Sequence, residues 1–190
     1  MTALIATAAG VLAWTFVEYG MHHWNGHLLK GRTLFSREHL HHHAVKDYFS
    51  TFSNKVAAAV PVSIGAWVLA GLIFDFRLAG FFTLGLVGGY AMYEYIHWAN
   101  HMLAPKTAYG TWARRHHFSH HFSDARFNHG VTTPFWDLVF GTYRKPGRIR
   151  VPNKLAMEWL FEESCRTINS KHSQHYELIG VRPSAAKSSR

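Results

Sequence analysis

Val56 to Phe74 is a run of nineteen residues without a charged side chain, and no other feature narrows so sharply what this chain can fold into. About 18 or more uncharged apolar residues make a candidate for a helix that crosses a bilayer core. Two further uncharged runs, Thr2–Val17 and Leu78–Tyr93, reach that length if each continues into the polar residues that follow it. In hydrocarbon a backbone must satisfy its own hydrogen bonds, so such runs are read as helices. The expected fold is therefore all-α: one integral membrane helical domain of three to four spans. Thr2–Val17 is read as a retained span and not a signal peptide, because no Lys or Arg precedes Lys30 and the small residues Thr7–Gly10 come too early for a cleavage site.

Charge placement turns these spans into a topology. Span one runs from about Thr2 to Tyr19, and the polar stretch Asn25–Asn54 follows it. Span two then crosses away, Asp75–Arg77 makes a short turn, and span three, Leu78 to about Asn100, returns. Of the twenty Lys and Arg residues, Arg77 alone falls on the far side. Cations mark the cytoplasmic side of membrane proteins, so the expected orientation is N-terminus outside with the polar bulk cytoplasmic. The net charge of +9 is thereby assigned to that face and to anionic lipid. No nucleic-acid partner is expected, because the basic residues are scattered and carry no binding signature. A single cysteine, Cys165, rules out an internal disulfide and any cysteine-based zinc or iron–sulfur site.

With 190 residues the chain is expected to be one domain, 1–182, ending in a disordered tail, 183–190. Pro134–Gly141 is apolar and aromatic but too short to cross, which predicts an interfacial segment. Lys154–Ile168 has mixed helical spacing, which predicts an amphipathic helix lying on the membrane.

The topology gathers all sixteen histidines at one face, and their order carries the chemistry. His22-x4-His27 ends span one and is followed by His39-x2-His42-His43. His97-x3-His101 ends span three and is followed by His117-x2-His120-His121. Residues three or four apart share a helix face, so each HxxHH box is expected to present three imidazoles together. His22 and His27, five apart, diverge by about 140° on a regular α-helix. They converge only if the helix ends or distorts there, or if they serve different metals.

Ten imidazoles exceed the four to six ligands of one transition-metal ion, so the set predicts two ions with four or five histidines each. Imidazole suits iron, zinc, copper and nickel alike. Iron is favoured over zinc, because an all-nitrogen set at the cytoplasmic end of membrane helices suits two irons activating dioxygen. Glu18 and Glu94 precede the first and third boxes by about a helical turn or less. They are either acceptors that orient ligand imidazoles or headgroup-level carboxylates paired with an arginine such as Arg115. His23, His41 and His116 abut the boxes, His129 is an extra ligand or hydrogen-bond donor, and His172 and His175 are read as surface residues.

Rival classes fit less well. A metal-buffering tract would be a low-complexity run. A membrane metal-binding or transport protein would need polar groups along several spans, and span two has none. A haem carrier needs axial pairs on facing helices rather than HxxHH clusters.

The order HxxxxH, HxxHH, HxxxH, HxxHH resembles the fatty acid hydroxylase superfamily, which includes fatty acid 2-hydroxylases, sterol desaturases and sterol oxidases. EYGMHHWNGH (Glu18–His27) resembles its opening box, and GVTTPFWDLVFGTY (Gly130–Tyr143) its closing signature. The likeness covers a core of 18–143. It implies a helical membrane domain with a cytosolic, histidine-rich di-metal cap, whose metal ligands would be His22, His27, His39, His42, His43, His97, His101, His117, His120 and His121. It further implies an oxidoreductase of lipid biosynthesis, a non-haem di-iron monooxygenase that uses O2 to hydroxylate or desaturate a C–H bond in a fatty acyl or sterol substrate drawn from the bilayer. Two electrons would come from a separate donor: a cytochrome b5, a ferredoxin or a reductase. Carotenoid beta-ring hydroxylases share the size and box order and remain an alternative. Trp24, Trp98, Trp112, Phe135 and Trp136 are expected either to line a lipid channel or to form an interfacial aromatic belt. Substrate, oxidised position and the metal itself are left open.

Overall fold

The computed structural model describes residues 2–162 and 165–180; the expected tail, 183–190, lies outside them. Five helices lead to a smaller mixed cap. α1 spans Thr2–Gly20 and continues as a π-helical segment, Met21–Leu28. α2 is Leu34–Ala44, α3 is Phe52–Ile73, α4 is Phe76–Met102 and α5 is Ala108–Phe122. Each helix from α2 to α5 starts at a side-chain cap: Thr33, Thr51, Asp75 and Thr107 accept from backbone N–H groups of their first turns, satisfying donors that a helix start leaves free.

Thr2–Leu28 and Phe52–Ile73 are long and apolar enough to cross a membrane, and only 17% and 6% of their most apolar stretches are buried. A core helix of a soluble protein would be mostly buried, whereas α3 exposes Val62, Ile64, Leu69 and Leu72. Such a surface is suited to lipid. α4, at 27 residues, packs against both α1 and α3. Its contact with α1 is made partly by Trp14, which lies against Gly89, Tyr90 and Tyr93, and partly by backbone. A Cβ at Gly85 would lie 2.0 Å from the Thr7 carbonyl oxygen, and one at Gly10 would lie 2.0 Å from that of Phe82. Small residues at these positions let two apolar helices approach closely enough to pack without a hydrophobic driving force.

The all-α expectation fails in the cap. After the short helix α6, Phe135–Val139, come β1 (Ile149–Pro152), β2 (Phe161–Glu162), β3 (Cys165–Ile168) and β4 (Tyr176–Ile179). β1 pairs with β4 in parallel, Ile149 opposite Tyr176, and β2 pairs with β3 antiparallel. The amphipathic helix expected over Lys154–Ile168 is replaced by 3₁₀ turns at Asn153–Leu155 and Glu158–Leu160 followed by β2 and β3. The burial pattern explains why. Ile149 and Val151 are buried with Arg150 exposed between them, a period of two that belongs to a strand. Ala156, Met157, Leu160 and Phe161 then turn into one core with Phe118 of α5 and Tyr176. Their spacing would also suit a helical stripe, which is why the sequence reads as a helix there.

Candidate metal centre

The π-helical segment removes the difficulty posed by His22 and His27. Its repeating hydrogen bond runs from i to i+5, so residues five apart come to one face, and both imidazoles join the same group. His22, His27, His39, His43 and His120 bring one ring nitrogen each within 4.8 Å of one another, and His42, His97, His101, His117 and His121 do the same. All ten expected histidines are thus gathered, five and five.

The HxxHH boxes do not behave as expected. Their three imidazoles do not stay together. His39 and His43 enter the first group and His117 and His121 the second, while each i+3 member crosses over: His42 enters the second group and His120 the first. On a helix of roughly 3.6 residues per turn an i+3 residue points about 60° away from residue i and about 100° away from residue i+4, enough to reach across between two centres a few ångströms apart.

Hydrogen bonding fixes the tautomers. Nδ1 of His120 donates to the Phe127 carbonyl at 2.8 Å, Nδ1 of His42 to the Tyr48 carbonyl at 2.7 Å, and Nδ1 of His22 to the His129 carbonyl. A carbonyl only accepts, so Nδ1 carries the proton and Nε2 of the neutral ring keeps a bare lone pair. Yet Nε2 of His22 lies 2.9 Å from Nε2 of His120. Two lone pairs at that separation repel, and no hydrogen bond can join them. A cation between them reverses the sign. The other contacts agree: His27–His120 and His39–His27 are 2.8 Å, His43–His39 is 3.1 Å, and His101–His117 is 2.8 Å. Two nitrogens ~2.1 Å from one ion and at right angles are about 3.0 Å apart. The buried Nε2 of His121 has no hydrogen-bond partner among the described residues. The residues present therefore fit a pair of metal ions.

Neutrality is enforced by burial. Desolvation, with neighbouring imidazoles adding to it, holds His39, His43, His117, His120 and His121 well below the ordinary histidine value. His42 is pushed down to about 4, chiefly by burial; the Tyr48 carbonyl opposes this and the Lys55 ammonium adds to it. Metal ligation requires the neutral ring.

Behind the first group stands a carboxylate that sequence reasoning left unassigned. Asp137 is fully buried. It accepts from the backbone N–H groups of His129 and Gly130, from Thr142 Oγ1 at 2.8 Å, and from His116 Nε2 at 3.2 Å. Burial alone would raise its pKa, but the bonds from His116, His129 and the two backbone N–H groups hold it below the usual carboxylate range. Asp137 thereby fixes the loop whose His129 carbonyl orients His22. The available signal was a lone charge within the apolar run Phe135–Phe140. His129 is a hydrogen-bond partner rather than a member of either group: its Nε2 lies 3.0 Å from His23 Nδ1.

Both glutamates differ from expectation. Glu18 accepts from the backbone N–H groups of Val131 and Thr132, the latter at 2.8 Å, and from Thr132 Oγ1 at 2.6 Å. Glu94 pairs with Lys55 at 2.5 Å. Neither accepts from an imidazole or pairs with an arginine among the described residues. The loop's free amides and a lysine from α3 outcompete those partners because the fold brings them closer. His172 packs on the Trp159 ring and is half-buried rather than a surface residue.

A cavity of about 270 Å³ opens between α1, α2, α3 and α4. His22, His39, His42 and His97 form part of its wall, so it reaches both groups. Its aromatics are Trp14, Phe35, Tyr48, Phe49, Tyr90 and Tyr93, not the five aromatics expected of a channel. Trp24 instead packs on Phe16 and Phe140, and Trp112 stacks on His116.

Comparison with known proteins extends this picture. A sequence family described as fatty acid hydroxylase matches residues 7–142. The chain is 29% identical over 143 residues to a dihydroceramide fatty acyl 2-hydroxylase of Arabidopsis thaliana, covering 73% of this chain and 60% of that protein. It is 30% identical over 141 residues to a fatty acid 2-hydroxylase of Rattus norvegicus, covering 70% of this chain and 38% of that protein. Among solved structures, full-length scs7p, with only its hydroxylase domain visible, superposes with a TM-score of 0.64 at 25% identity, covering 76% of this chain and 57% of that one. The chain spans 60% or less of the length of these relatives.

Proposed function

The chain belongs to the fatty acid hydroxylase family, and from that premise we propose that it is a membrane-embedded, O2-dependent oxygenase that hydroxylates an acyl lipid. One observation carries the reading: two five-histidine groups meet the end of a largely apolar cavity bounded by the long helices. The relatives act on fatty acyl and dihydroceramide chains at position 2, and the same substrate class suits this cavity.

In the proposed reaction a C–H bond becomes C–OH, the second oxygen atom leaves as water, and two electrons and two protons are consumed. The ten histidines are the proposed ligands of two ions, iron favoured over zinc, which when bound supply dioxygen activation. The chain's own residues do the rest. His129, Tyr48 and Phe127 carbonyls hold His22, His42 and His120 with their lone pairs turned inward. The cavity wall between α3 and α4 excludes water and aligns the acyl chain. α4 is taken as a third span antiparallel to α3, with the N-terminus outside and the histidines cytoplasmic, within reach of a separate electron donor such as a cytochrome b5, a ferredoxin or a reductase. The uneven placement of Lys and Arg supports that orientation.

The test is metal analysis and turnover of the purified protein in detergent or nanodiscs. Two metals per chain, iron predominating, and a hydroxylated acyl lipid whose new oxygen comes from isotopically heavy O2 are expected. Reversible metal flux across vesicles with no lipid product would overturn the reading.

A further inference from the structure

The charged and histidine groups of the cavity gather at one end. On α4 the lining runs from His97 and Glu94 to Val87 and Leu86, and on α3 from Lys55 to Ala59 and Val62. At the histidine end, Lys55 Nζ meets the Glu94 carboxylate at 2.5 Å, with 26% and 25% of the side chains exposed. Glu94 stands three residues before His97, on the same helix face, and Lys55 is near enough to His42 to act on its charge state.

This ion pair belongs to neither histidine group and bonds to no imidazole among the described residues. Drawing two charges partly out of water beside hydrocarbon has a cost, and an apolar pair of the same volume would serve packing as well. What the pair adds is an N–H donor and a carboxylate acceptor side by side in the wall of the cavity, at the depth of the His42–His97 contact. A carboxylate head on a lipid would set another anion against Glu94 and against Glu38, which also lines this end. An uncharged head carrying both an acceptor and a donor meets both members.

We propose that Lys55 and Glu94 form a positioning pair for the polar head of the substrate: Lys55 donates to the acyl carbonyl oxygen, Glu94 accepts from a neighbouring N–H or O–H, and the carbon next to that head is held beside His42 and His97. This rests on the hydroxylase reading and adds a cause for where the chain is oxidised. With the head held at the histidine end, the acyl tail runs toward Val62 and Leu86, and carbons further along it cannot reach the metals.

The experiment uses the metal-loaded, full-length protein and an N-acyl amide lipid as probe. Lys55→Met is expected to raise KM about tenfold, the worth of a hydrogen bond to a charged group, to leave metal content unchanged, and to spread hydroxylation over several carbons. Lys55→Arg restores the single position. Binding is read separately, without turnover, by quenching of tryptophan fluorescence with a bromoacyl amide, since Trp14 lines the cavity. A Lys55→Met protein that binds as tightly as wild type and oxidises the same carbon overturns the proposal. If Lys55→Met loses its metals, Glu94→Gln, which keeps the shape and removes the charge, is put to the same two readouts. Should wild type form no hydroxylated product, the hydroxylase reading falls, and the quenching comparison alone decides the pair.

Discussion

His42 and His120, the inner histidines of the two HxxHH boxes, each leave their own box: His42 Nε2 lies 2.9 Å from His97 Nε2, and His120 Nε2 lies 2.9 Å from His22 Nε2. Each box thus serves both groups, and neither group can be assembled from one half of the chain. Replacing either inner histidine is expected to damage the group fed by the opposite half. His120→Ala should lower metal content from two toward one per chain, and His42→Ala should do the same at the other group. Both should reduce turnover at least ~100-fold while membrane insertion is retained, since losing even an outer partner of a ligand costs about 10–100-fold. Metal analysis beside turnover checks this; unchanged turnover in either variant would remove that histidine from the centre.

Asp137 offers a test that touches no proposed ligand. Asp137→Asn keeps the size but removes the charge that faces His116 and replaces an acceptor toward the His129 and Gly130 amides. Uncoupling a buried charged hydrogen-bond network typically costs about 3–5 kcal/mol, and here the loosened loop also carries the carbonyl that orients His22. Faster metal loss to a chelator and a lowered unfolding temperature are expected together.

Acidity should act on the metal-free protein in a defined window. The folded-state pKa of His42 is about 4, below its unfolded value of 6.5. The unfolded chain therefore binds more protons between these values, and stability rises with pH across that range. The contribution is complete above about pH 6.5 and is lost as pH falls toward 4, with the other lowered imidazoles of α2 and α5 acting in the same direction. Denaturant unfolding of chelator-treated protein at several pH values measures it; a midpoint flat between pH 7 and pH 4.5 would contradict the burial of neutral rings.

Cavity shape can be separated from metal binding. Ala59 lines the cavity on α3, one helical turn beyond Lys55. Ala59→Trp should fill the acyl path, so long-chain turnover should fall sharply while metal content stays at the wild-type level. Equal turnover of long and short acyl chains by this variant would place the acyl path elsewhere.

Much of the architecture could be read from the chain because its causes are local. Uncharged runs mark α1 and α3, and the histidine boxes name every member of both groups. What was hidden depended on partners distant in sequence. Nothing local to Glu18 reveals the amides of Val131 and Thr132, and nothing near Lys55 announces Glu94. The exchange of His42 and His120 escapes a helix-face rule, because that rule orders residues on one helix and says nothing of two centres lying side by side. Lys154–Ile168 was misread because short strands and 3₁₀ turns around a shared core can space their apolar residues as a helical stripe does. The π-helical turn was half legible: the five-residue spacing demanded a distortion, and the structure supplied its kind.

The contact of Gly10 and Gly85 with the facing backbone has a mechanical consequence. α1 ends in His22 and His27, and α4 ends in His97 and His101, so the two helices are arms that each carry one histidine pair. At those two glycines peptide meets peptide, with no side chain between them to change rotamer. The separation of the arms is therefore set by the hardest contact a protein has.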